Sequence, residues 1–238
     1  MDNNKLKYLL PVRIVLFVTI FVLGTLIMKQ EMDKISNWWS VVASIVNIIT
    51  ILILIFVTKK NGTNYFKLIN YKKGKTKLKE IIIISILILI VGTMGMYISG
   101  FICYNKFPYA APMMIAPISP IIAILNFIIL PLTVSFAEDG LYLGCGVNSF
   151  KNKHIAILIP AFFYALQHCF IPTLFDFKFI VYRFFSFLPL TIILCYYYYK
   201  KKNPVPIMIG HSLIEMASVI MILVTSINPE IYYTMLRG

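Results

Sequence analysis

Charged side chains are scarce in this sequence, and acidic ones are the scarcest. Only 13% of the 238 residues are charged, with 9 acidic against 22 basic residues, whereas 60% are hydrophobic and the mean hydropathy is +0.85. A soluble domain of this length could not bury so much apolar surface, but a polytopic membrane domain does not need to. The net charge of +13 does not indicate nucleic-acid binding, because the lysines lie in short loops between apolar runs. We therefore predict a membrane protein with no nucleic-acid partner.

Paired cysteines and internal repeats are also lacking. The four cysteines, Cys103, Cys145, Cys169 and Cys195, form no CxxC pair, so the sequence supports neither a disulfide framework nor a zinc knuckle. No convincing repeat occurs, which weakens an interpretation as a transporter. No small-x-small cleavage site follows the first apolar run, so we interpret that run as a retained span rather than a signal peptide.

Seven apolar runs approach the length that crosses a bilayer as a helix. Three prolines within 112–120 interrupt the start of the fourth run, so its helix is expected to begin near Ile121. A re-entrant piece over 108–118 would add an eighth element. The predicted fold class is an all-α polytopic transmembrane helix bundle forming one domain over 1–238, with its first three spans in 1–103. The predicted spans are 8–28, 38–58, 81–103, 121–143, 155–175, 181–199 and 204–227.

The placement of the lysines predicts the orientation of the bundle. Loops on the side of the N-terminus carry fifteen lysines, most of them within 59–79, whereas the other side carries six lysines and arginines. Cytoplasmic loops have an excess of basic residues. We therefore predict a multi-pass protein of the cell membrane with its N-terminus in the cytoplasm and its C-terminus outside.

Five ionisable side chains lie at the predicted membrane depth. Such residues are expected to face a protein interior and to carry function, because charge inside a bilayer is costly. Lys153 lies fifteen residues after Glu138 and fifteen before His168, so a helical hairpin turning there brings both to one height. His211 follows the start of the last span at a similar depth. The five residues are Glu138, Asp139, His168, His211 and Glu215.

A carboxylate and two imidazoles at one level suit hydrolysis. Glu138 can take a proton from water, one histidine can hold that water, and the other can donate to an oxyanion. The same three residues, Glu138, His168 and His211, would also supply the ligands of a catalytic Zn²⁺ site with one open position. A metal-free glutamate mechanism is the alternative. Proton relays in small transporters use the same residue types.

Three further residues have simpler interpretations. Tyr142 and Tyr164 are expected to pack at helix interfaces. Arg13, inside the first span, either extends its side chain to the interface or pairs with a buried acid, and the sequence favours neither.

The arrangement resembles the CPBP intramembrane proteases, which include the type II CAAX prenyl endopeptidases and bacterial proteins linked to bacteriocin production or immunity. The family pattern is Glu-Glu-x-x-x-Arg, Phe-x-x-x-His and His-x-x-x-Asn or Asp, on three helices. The corresponding blocks here, in the same order within 110–227, are Glu138-Asp139-x-x-x-Leu143, Tyr164-x-x-x-His168 and His211-x-x-x-Glu215.

The resemblance implies an intramembrane endopeptidase that cleaves a peptide or membrane-protein substrate in a cytosol-facing cavity. Glu138 would activate water with His168, while His211, aided by Glu215, would stabilise the oxyanion. Leu143 stands where the pattern has arginine, which removes a fixed partner for Glu138. A non-catalytic homologue, acting as a membrane binding or bacteriocin immunity protein, is therefore an alternative, and a proton-linked transporter is another.

Overall fold

The computed structural model describes residues 3–109 and 111–237, and within them the chain is helical. The long helices are α1, Val12–Met28; α3, Trp39–Lys60; α5, Leu78–Tyr104; α6, Pro120–Asp139; α7, Lys153–His168; α8, Phe177–Lys201; and α9, Val205–Ile227. Three short helices complete the order: α2, Met32–Ser36; α4, Tyr65–Leu68; and α10, Pro229–Arg237. The described residues contain no strand beyond an isolated bridge between Phe170 and Thr173. The predicted all-α class is confirmed.

Local sequence signals set several helix boundaries. The side chain of Asn152 accepts hydrogen bonds from the first backbone N–H groups of α7, and Asp176 does the same for α8. Such caps satisfy donors that have no partner inside the helix. α5 and α8 end at Asn105 and Lys202, which adopt the left-handed conformation with φ of 54° and 47°.

Within residues 3–109 and 111–237, six helical segments are long and apolar enough to cross a membrane. The fifth predicted span, 155–175, differs from the structure, because α7 has 16 residues and ends at His168. A buried non-helical segment, 169–174, follows it. A helix that stops early lets His168 lie deep in the bundle beside a chain reversal. In the predicted re-entrant region, the described residues contain one 3-10 turn, Pro112–Ile115.

The interior of the bundle is formed by α5, α6, α7, α8 and α9, which pack in pairs. α6 packs against α9 and α3, α7 packs along α8, and α5 contacts both α8 and α9. Many large apolar side chains point outward on the long helices, among them Leu52, Ile90 and Leu132. Such an outer surface suits lipid contact, since a soluble protein rarely exposes so much apolar area.

The basic loops meet at one end of the bundle, which we call the lysine-rich end: residues 61–77, 150–152 and 202–204. The Nζ atom of Lys75 donates to the carbonyl oxygens of Lys201 at 2.6 Å and Lys202 at 2.9 Å. These bonds join the loop before α5 to the end of α8. The grouping matches the lysine pattern of the sequence, while the assignment of this end to the cytoplasm stays a prediction.

Candidate active site

The helix that carries Glu138 ends in a buried π-helical segment, Gly140–Gly146. A Cβ atom at Gly140 would lie 2.6 Å from the hydroxyl oxygen of Tyr65. That hydroxyl donates to the carbonyl oxygen of Phe136 at 2.7 Å. The side chain of Tyr65, from α4, therefore packs directly against the end of α6 and fixes it. π-Helical turns within helices occur frequently at functional sites, and here one follows the two acidic residues directly.

The carboxylate of Glu138 lies inside the bundle and has two differently placed oxygens. The residue is only 2% exposed. Its Oε1 atom accepts a hydrogen bond from Nη2 of Arg13 at 2.8 Å. Its Oε2 atom has no hydrogen-bond partner within the described residues. Instead it faces the Nε2 atoms of His168 at 3.7 Å and His211 at 3.8 Å.

His168 is positioned by its own helix end and by α8. Its ring stacks on Phe187, with centroids 3.7 Å apart and the planes 9° from parallel. Its backbone carbonyl oxygen accepts a hydrogen bond from Nε of the buried Arg183 at 3.1 Å. Because α7 ends at His168, this carbonyl oxygen has no partner further along the helix, and Arg183 donates to it instead. The imidazole is therefore held with Nε2 toward Glu138.

His211 is positioned by contacts at Nδ1, the ring nitrogen that does not face Glu138. Its Nδ1 atom lies 3.0 Å from the hydroxyl oxygen of Tyr164 and 3.4 Å from Oδ2 of Asp139. The Tyr164 hydroxyl donates to Oδ1 of Asp139 at 3.0 Å. Because that proton goes to the carboxylate, Nδ1 of His211 is left to donate. The hydrogen bond made by one ring nitrogen sets the proton and orientation of the other. The contacts at Nδ1 therefore turn Nε2 of His211 toward the carboxylate of Glu138.

Arg13 pairs with a buried acid, which resolves the choice that the sequence left open. The side chain is 0% exposed. Besides Glu138 it donates through Nε to Oε1 of Gln167 at 2.5 Å and through Nη1 to Oγ1 of Thr50 at 3.2 Å. Four helical elements thus converge on one guanidinium. A charge at the centre of a bilayer is stable only when it is partnered in this way.

This contact corrects one inference drawn from the motif. The absence of arginine at Leu143 does not leave Glu138 without a cation, because α1 supplies one. Leu143 itself is fully buried in an apolar cluster with residues such as Ile69. The sequence drew attention to Arg13 as a lone arginine inside an apolar span, but it did not decide between a buried partner and the membrane interface.

The contacts of His211 differ from those that the motif implied. Glu215 lines the same cavity as Glu138, but within the described residues no hydrogen bond or ion pair joins it to His211. Asp139 takes that place. Tyr164, expected to be a packing residue, forms the hydroxyl bridge described above, and Tyr142 donates to Oε1 of Gln167 at 3.2 Å.

The cavity holding these groups has a volume of about 90 Å³ and an apolar wall. Its lining extends from Glu138 to Trp39 and Met114. Trp39 begins α3, whose other end at Lys60 reaches the lysine-rich end. The cavity therefore extends toward the opposite, lysine-poor end of the bundle.

A zinc site was one prediction for Glu138, His168 and His211. Among residues 3–109 and 111–237, no three histidine, cysteine or acidic side chains are arranged to hold a metal ion. Oε2 lies 3.7 and 3.8 Å from the two Nε2 atoms. Arg13 also occupies Oε1, so only one carboxylate oxygen faces the histidines. Oε2 and the two Nε2 atoms are therefore grouped on one side of the carboxylate, and the zinc site stays a prediction.

Residues 120–217 match the family model described as type II CAAX prenyl endopeptidase Rce1-like. The matched segment contains all three sequence blocks, from Glu138 to Glu215. The family resemblance indicated by their order and spacing is confirmed over these residues. Comparisons with curated proteins and with solved structures give no match.

Proposed function

We propose that this chain, whose residues 120–217 match the type II CAAX prenyl endopeptidase Rce1-like family model, acts as a member of that family and hydrolyses a peptide bond within the membrane. One observation carries this proposal. A buried carboxylate oxygen of Glu138 has no hydrogen-bond partner among the described residues and lies between two imidazole nitrogens at 3.7 and 3.8 Å. A water molecule bound at this oxygen would contact a general base and two imidazole nitrogens at the same time.

Glu138 is proposed as the general base. Arg13 occupies Oε1, so Oε2 is the oxygen that takes a proton from water, while His168 orients that water. The water oxygen then attacks the carbonyl carbon of the substrate. Glu138 returns the proton to the amide nitrogen as the C–N bond breaks, which leaves a new carboxylic acid and a new amine, and the proton of the acid then passes to the amine to give a carboxylate and an ammonium group. The protein regains its starting charge, so no further reactant is required.

His211 is proposed to stabilise the oxyanion. When both ring nitrogens carry protons, Nδ1 donates to Asp139 and Nε2 donates to the developing negative charge. Asp139 and Tyr164 are then positioning residues, because they act through His211. Glu215 lines the cavity beside Arg183 and would contact substrate rather than His211.

The side from which substrate arrives is a separate proposal. The cavity lining includes Trp39 and Met114, which lie toward the lysine-poor end. We propose access from that end, which differs from the cytosol-facing cavity predicted from the sequence if the lysine-rich end is cytoplasmic. The apolar lining suits a substrate segment that enters from lipid.

Hydrolysis is tested with purified protein in detergent and two quenched peptides ending in a CAAX sequence, one farnesylated and one not. In water enriched in heavy oxygen, cleavage should place one heavy oxygen atom in the new C-terminal carboxylate. Glu138→Gln protein, purified in the same way, serves as the control for contaminating proteases. If neither peptide is cleaved, or if the Glu138→Gln protein cleaves equally well, the proposal is wrong.

A further inference from the structure

A second cavity, of about 230 Å³, lies at the lysine-rich end and shares no lining residue with the cavity around Glu138. It is formed where the loop after α4, the end of the π-helical segment and the end of α8 meet. Its lining combines basic, amide and aromatic side chains and contains no carboxylate. The lining residues are Lys67, Leu68, Asn70, Gly144, Val147, Asn148, Phe150, Tyr199 and Lys202.

Hydrogen bonds hold the polar wall of this cavity in place. Nδ2 of Asn148 donates to the carbonyl oxygen of Leu68 and to the hydroxyl oxygen of Tyr198, each at 3.0 Å. Nδ2 of Asn70 donates to the same hydroxyl oxygen at 2.8 Å. Asn70 adopts the left-handed conformation, with φ of 57°. The amides are therefore oriented before any ligand arrives, which lowers the cost of binding.

The charge of the cavity is positive and unbalanced. Nζ of Lys202 donates to Oδ1 of Asn148 at 2.7 Å and lies over the rings of Tyr198 and Tyr199, 5.3 and 5.4 Å from their centroids. Burial lowers the pKa of Lys202. In the part of the chain that the structure describes, no lysine lies within 4.0 Å of a carboxylate. Lys67 adds a second, exposed ammonium group.

We propose that this cavity binds a phosphate group, presented by an anionic phospholipid headgroup or by free phosphate. Two ammonium groups and no carboxylate favour an anion, and a phosphate can accept several hydrogen bonds at once. The position fits, since α8 ends at Lys201 and its last turn lines the cavity through Tyr199, at the level where the end of a transmembrane helix meets the headgroups. Basic pockets between transmembrane helices bind such headgroups in other proteins.

The test uses the full chain in detergent, with phosphatidylglycerol, phosphatidylcholine and inorganic phosphate as probes. Native mass spectrometry measures lipid binding, and thermal unfolding measures stabilisation by each probe. The site variant is Lys67→Gln with Lys202→Gln. The control is Lys72→Gln with Lys73→Gln, which removes the same charge from exposed positions outside the cavity. At about 1 kcal/mol per lysine near a membrane surface, and about 1.4 kcal/mol per tenfold, the site variant should bind phosphatidylglycerol about thirtyfold more weakly than the control.

Competition identifies the source of the phosphate. If inorganic phosphate displaces phosphatidylglycerol, the phosphate group alone is recognised; if it does not, the lipid is the ligand, and both results support the site. Lys67→Gln alone, an exposed change, should weaken binding about fivefold even if Lys202→Gln impairs folding. Equal binding of phosphatidylglycerol by site variants and control, or equal binding of phosphatidylcholine by the unmodified protein, would overturn the proposal.

Discussion

Replacing Arg13 by methionine should destabilise the protein strongly, because it leaves Glu138 as an unpaired charge inside the bundle. Arg13 is 0% and Glu138 2% exposed, and the 2.8 Å contact between them is the only hydrogen bond that the described residues give to this carboxylate. Removing one partner of a buried ion pair costs about 3–5 kcal/mol. Methionine keeps a long apolar side chain, so the cavity created is small.

The double variant separates charge from packing. Changing Glu138 to glutamine as well as Arg13 to methionine removes the unpaired charge, so the pair of changes should cost less than the Arg13→Met change alone. Residues in direct contact commonly show coupling energies of about 0.5–3 kcal/mol. The free energy of unfolding of the Arg13→Lys protein should lie between those of the unmodified and the Arg13→Met proteins. Lysine keeps the charge but cannot reach Glu138, Gln167 and Thr50 together.

The assay is unfolding of the purified protein in detergent, followed by a conformational probe at equilibrium in denaturant. Peptide cleavage is measured on the same samples below the transition. Arg13→Met protein that unfolds within about 0.5 kcal/mol of the unmodified protein, together with additive effects in the double variant, would refute the role assigned to the ion pair.

Three further results are expected. Tyr164→Phe should lower the rate of peptide cleavage about 10–100-fold by releasing His211, as losses of supporting hydrogen bonds typically do. Tyr142→Phe, the matched change on a ring without a contact to either histidine, should have a smaller effect. Equal effects of the two changes would contradict the role of the Tyr164 hydroxyl between Asp139 and His211. If Glu138 and the two histidines act on water without a metal ion, as in the proposed mechanism, treatment with a chelator should leave cleavage unchanged; loss of activity that Zn²⁺ restores would instead support the zinc site predicted from the sequence. In intact cells, an impermeant thiol reagent should label Met114→Cys and not Lys73→Cys in a background without native cysteines, and the reverse pattern would place the lysine-rich end outside.

The convergence of the site was predictable from spacing along the chain. Because a helix rises 1.5 Å per residue, equal intervals on both sides of Lys153 place Glu138 and His168 at one depth, and the structure brings them within 3.7 Å. Their catalytic roles remain predictions. The same reasoning placed His211 in that layer.

Other features could not be read from spacing. The depth of a residue does not specify its rotation about the helix axis. The sequence therefore did not predict that Asp139, rather than Glu215, would contact His211. The partner of Arg13 depends on how α1 packs against α6, which no local pattern specifies. The early end of α7 depends on the contact from Arg183 and on the buried segment that follows the helix. The sequence of that segment is still apolar, so it gave no sign that the helix would stop. The π-helical turn after Glu138 likewise depends on the approach of Tyr65 to Gly140.

The most direct test of the central assignment compares cleavage by Glu138→Gln, by His168→Ala and by the protein carrying both changes, with the exposed Glu230→Gln as a matched control. A general base typically contributes about 10²–10⁴-fold, and groups acting on one water are non-additive. We therefore expect each single change to lose at least about a hundredfold in rate, the double change to be little worse than either, and Glu230→Gln to retain full activity. Cleavage by folded Glu138→Gln protein at the unmodified rate would contradict the account.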